Sequence, residues 1–162
     1  MRFKIKDKII LGMTSGIIAT TFLNGIDYLS LRLHMNKWHI WQISASLFFP
    51  QNELSTVPAL ILGAVTHATI MGLAGTVICY TLYYTGRTLY ILKGIAILLL
   101  FWIILFGGAL SLKITSIIQP VGAQTNMGHL FGHLMEGTLT SLLIIKLADK
   151  QVWDRSFEGN WN

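Results

Sequence analysis

The sequence predicts an all-α, polytopic membrane protein, a bundle of four transmembrane helices with an interfacial segment between the first and second. Three observations carry this. First, 53% of the 162 residues are hydrophobic, only 12% are charged, and the mean hydropathy is +0.60. Soluble domains carry about 25% charged residues, so this chain cannot cover a water-facing surface. Second, four apolar stretches approach or exceed the roughly 20 residues needed to cross a bilayer as a helix. Third, the basic residues gather at the ends of those stretches. That is the pattern of membrane topology, not of a nucleic-acid face, so the net charge of +5 does not imply a nucleic-acid partner.

The first helix is expected over about residues 9–31, after the basic leader MRFKIKDK. A signal peptide is the competing reading, but no convincing cleavage site follows and apolar character continues past Asn24. Gly12 and Gly16 make a small-xxx-small pair suited to close helix contact. Residues 32–56 are interrupted and too short to span. They read as an interfacial loop or short helix, with Trp38 and Trp41 at headgroup level and a re-entrant segment as the alternative.

The second helix is expected over 57–84. Ser55 or Thr56 can cap it, Pro58 fits its first turn, and Gly86 is its stop. Tyr80, Tyr83, Tyr84 and Tyr90 gather at that end as an interfacial belt. The third helix is expected over 89–112, with the most lipid-like run in the chain, Ile95 to Phe106. A loop containing Pro120 leads to the fourth helix at 127–147. The tail 148–162, with Trp153, Phe157 and Trp161, is expected to lie on the membrane surface. Residues 1–162 thus make a single integral membrane domain.

Lys and Arg counts orient the bundle. Arg2, Lys4, Lys6, Lys8, Arg87, Lys93, Lys146, Lys150 and Arg155 fall on one side, nine in all. Arg32, Lys37 and Lys113 fall on the other, three. Nine against three predicts both termini inside, in a cell (cytoplasmic) membrane of a prokaryote.

The unusual chemistry lies in NMGHLFGHLMEGTLT, from Asn126 to Thr140. Relative to His129, a helix turns His133 to about 40° and Glu136 to about −20°, so the three share one face. At about 1.5 Å rise per residue, His67 on the second helix and Asn24 and Asp27 on the first reach overlapping depth in the outer half. Thr20 shares the stripe of Asn24 and Asp27, while Gly63, Ala64, Ala74 and Gly75 lie on the His67 side and admit a neighbouring backbone. An ionised group at a helix centre costs on the order of 2.5–3.5 kcal/mol to insert, so these groups need partners, a cavity or an ion.

The leading expectation is a metal site of His67, His129, His133 and Glu136, supported by Asn24 and Asp27. Its mixed N/O donors suit zinc, iron, manganese or copper. Haem b is the variant, with His67 on one side of the iron and His129 or His133 on the other, since the latter two project from one face. Such a protein would be a small subunit of a redox or transport assembly. Two other readings compete: a structural or assembly subunit whose polar network only fixes helix packing, and a proton-relay, quinone or small-solute pocket.

Cys79 is the only cysteine, which excludes an intramolecular disulfide and a cysteine-ligated cluster. His34 and His39 are expected at the surface. The chain has no GxSxG, Walker loop, HExxH or CxxCH motif and no recognisable nucleophile–base pair, so binding is expected rather than catalysis. The expected partners are the lipid bilayer and a membrane protein complex or homo-oligomer.

Overall fold

A computed structural model describes residues 4–109 and 122–154. Helices α1 (Lys8–Arg32), α3 (Val57–Thr85), α4 (Tyr90–Trp102) and α5 (Ala123–Leu147) form the bundle, and the short α2 (Ile40–Ala45) lies between α1 and α3. A π-helical stretch, Ile103–Ala109, continues α4. Among the described residues, four helices are long and apolar enough to cross a membrane: α1, α3, α5, and α4 together with the π-helical stretch as far as Gly108. The expected end of the third helix at 110–112 lies outside the described residues, as do residues 113–121 of the following loop and Phe157 and Trp161 of the tail.

Side-chain size decides which helices meet. A Cβ on Gly12 or Gly16 would run into the backbone of α3 at Thr76 or Met71, and one on Gly75 would meet the Gly12 carbonyl. The small-xxx-small pair therefore does bring α1 onto α3, backbone against backbone. Gly94 and Gly137 do the same for α4 and α5. Gly63 of α3 lies under the Trp41 carbonyl, which seats α2 across the top of α3. With α5 also touching α1, the four long helices close into a ring.

Two apolar clusters fill the ends of this ring. One holds Leu11, Ile78, Leu82, Leu98, Ile144 and Val152 near the termini. The other holds Ile40, Ile43, Leu54, Ala59 and Phe106 beneath α2, with Trp38, Trp41 and Trp102 around it. Lys4 donates to the carbonyls of Lys146 (2.8 Å) and Ala148 (3.0 Å), and Ile5 bridges Ala148, so the start of the chain is bound to the end of α5.

Three local expectations are corrected. Thr56 is the α3 N-cap, but its side chain makes no capping bond; its hydroxyl donates instead to the Glu53 carbonyl (2.8 Å). The fourth helix begins at Ala123 rather than 127, one turn earlier. His39 is buried, not at the surface, while His34 is exposed. Pro58 does sit in the first turn of α3, and Gly86 ends that helix at φ +82°, a conformation only glycine adopts freely.

Candidate functional site: a polar cavity between α1, α3 and α5

The i, i+4, i+7 spacing on α5 places His129, His133 and Glu136 on its inward face, where all three are buried. α3 presents His67, also buried, from across the ring. α1 supplies Asn24 and Asp27 from its C-terminal turns, both half-buried. All six line one cavity of about 520 Å³.

Each imidazole is approached by oxygen on its Nδ1 side. His67 Nδ1 lies 3.4 Å from the Thr20 hydroxyl. His133 Nδ1 is 3.2 Å from Glu136 Oε2, an ion-pair approach one turn along the helix. His129 Nδ1 is 3.9 Å from Asp27 Oδ1. The opposite nitrogens stand differently: Nε2 of His67, His129 and His133 is buried and has no hydrogen-bond partner among the described residues.

Asp27 is the hub of the end nearest α2. Its Oδ1 accepts from Asn36 Nδ2 and its Oδ2 from the Ile40 amide, both at 2.8 Å, and His39 Nε2 stands 3.5 Å from Oδ2. His39 is fixed in turn by a reciprocal cap: its Nδ1 accepts from the Trp41 amide (3.1 Å), and Gln42 Oε1 accepts from its own amide (2.9 Å). Tyr28 and Trp41 meet the His39 ring edge-on.

Several of these partners carry no signal in the sequence. Asn36 and His39 follow α1 in an irregular loop, and no period predicts that the loop folds back on Asp27. Phe106 is the other surprise. The π-helical extension of α4 carries Phe106 against His129 (5.1 Å between centroids) and His133 (6.0 Å). Trp102 stacks on Phe106 from behind at 6.1 Å. Wider turns of this kind displace a side chain from its α-helical position, and they recur near functional sites.

The donors share a wall, but they do not share a point. Among the described residues, no three His, Cys, Asp or Glu side chains stand close enough together to hold one metal ion. Compared with known proteins, the chain matches no family model, no curated protein and no solved structure.

Proposed function

We propose that this is an intramembrane binding module whose histidine cluster holds a transition metal or haem iron, as a subunit of a redox or transport assembly. One observation carries the reading. Three buried imidazoles each meet oxygen at Nδ1 and leave Nε2 without a partner. Metal-ligating histidines are held in this way, the oxygen orienting the ring and raising the basicity of the ligating nitrogen. A buried nitrogen left unpaired otherwise costs about 1–3 kcal/mol, and three of them are a large cost for packing alone. The charge balance agrees: Asp27 and Glu136 line the cavity, and among the described residues no Lys or Arg does.

The geometry separates the two versions. A bare ion needs at least three donors at one point, so side chains of the cluster would have to turn toward each other on binding. Haem iron needs only one or two nitrogens, which His67 on α3 and His133 on α5 would supply from different helices. A purely structural network accounts for Asp27, whose oxygens are engaged, but it leaves the three Nε2 atoms unexplained.

Elemental analysis and an absorption spectrum of the purified protein, as isolated and after incubation with zinc, ferrous iron or haemin, test the reading. A Soret band or one equivalent of metal is expected, lost in His133→Ala. Absence of both under every condition rejects it. The structural alternative instead predicts that His133→Ala lowers thermal stability while nothing is bound in either protein.

A further inference from the structure

The cavity has a second character that a metal or haem iron does not use. Its wall is mainly apolar, and it faces the lipid side of the bundle between α1 and α5. Ile26 on α1 and Met127, Phe131 and Met135 on α5 flank it, all exposed, with Phe131 63% accessible. Gly128 and Gly132 carve the space on α5, and a Cβ on Gly132 would meet nothing within 4 Å. The floor is polar. Asn24 stands there half-buried, its carboxamide without a hydrogen-bond partner among the described residues. Within a membrane helix, an amide that offers both donors and an acceptor to an open space calls for a polar ligand group.

We propose that this cavity binds a lipid-phase quinone or quinol. The oxygen-bearing ring lies against Asn24 and the carboxyl-lined floor, and the chain leaves between α1 and α5 over Phe131 and Met135. Three features select the class. The volume, about 520 Å³, is that of a small-molecule site and not of a single ion. Asp27 and Glu136, with no Lys or Arg beside them among the described residues, disfavour phosphate-bearing headgroups, so an uncharged polar end fits best. A quinone carbonyl accepts from an amide N–H, and a quinol hydroxyl donates to a carboxylate or amide oxygen, so both redox forms find partners on the same floor. The apolar, methionine-bearing rim suits a flexible chain arriving from the bilayer.

The inference does not rest on the metal reading, because Asn24 and Gly132 are not histidine partners. The test is a titration of the full chain in phosphatidylcholine nanodiscs with a decyl-benzoquinone, followed by quenching of tryptophan fluorescence. Saturable quenching is expected. It should weaken about tenfold or more in Gly132→Leu, which fills the cavity, and in Asn24→Leu, which removes the amide. Gly132→Leu has room to fold, and an unchanged melting temperature in that variant would show that the cavity was filled without loss of the fold. Quenching that rises linearly without saturation, saturation equal in all three proteins, or displacement by diacylglycerol as effective as by a second quinone would each overturn the proposal.

Discussion

Asp27 shows how one residue can serve both packing and a site. Its carboxylate accepts from Asn36 and from the Ile40 amide, which ties the loop after α1 to the start of α2, and it stands beside His129. Hydrogen bonds to a charged group contribute about 1.5–3 kcal/mol each, more than neutral ones. Asp27→Ala should therefore destabilise the protein by about 3 kcal/mol, after discounting for partial exposure. Asp27→Asn keeps one acceptor oxygen and should cost about 1 kcal/mol. Unfolding in a graded series of denaturing detergent measures both. Faster proteolysis near Leu33–Lys37 in the alanine variant would place the damage in the loop. An alanine variant as stable as the parent would show that the Asp27 bonds add nothing net.

At the scale of elements, the bundle is held by backbone approach. α1 can sit on α3 only because Gly12, Gly16 and Gly75 lack side chains. Overpacking a tight interface costs about 1–3 kcal/mol when neighbours can move, and here the obstacle is backbone. Gly16→Leu should cost about 3 kcal/mol or more and separate α1 from α3, read as a lower melting temperature. Gly25→Ala, on the same helix but facing open space, should be neutral or stabilising by up to about 1 kcal/mol. Equal loss in both variants would deny the contact. This interface was legible in the sequence because small residues four apart are a local pattern. So were the helix extents, to within a residue at Lys8–Arg32 and Val57–Thr85, since long apolar runs set them. The inward face of α5 followed from the spacing of His129, His133 and Glu136. What could not be read depends on contacts between distant parts of the chain. Apolar periodicity cannot distinguish α from π turns, so Phe106 was invisible. His39 looked like a loop residue because its burial comes from Tyr28, Trp41 and Asp27 folding around it.

For the whole molecule, four helices able to cross a membrane would put both ends of the chain on one side. The contact of Lys4 and Ile5 with the end of α5 requires the same arrangement independently. It also brings basic groups together: Lys8 stands 4.0 Å over the Tyr83 ring, Arg87 lies over Trp153, and Lys93 caps the carbonyls of Thr85 and Gly86. Clustered cations are retained on the cytoplasmic face, and nine Lys and Arg against three would assign that face to the termini. The polar cavity, at the α2 end, would then open toward the outer leaflet, where a ligand must be delivered. Cysteine labelling resolves this, because Cys79 is fully buried and should stay silent to a membrane-impermeant maleimide. Cysteines placed singly at Lys6, Arg87 and Asn52 occupy exposed positions on the two connecting faces. In intact cells only Asn52→Cys should react, and Lys6→Cys and Arg87→Cys should react after permeabilisation. The opposite pattern would turn the bundle over and place the cavity at the inner leaflet. Labelling of Lys6→Cys and Asn52→Cys from the same side would be incompatible with α1 crossing the bilayer, and with it the α1 wall of the site.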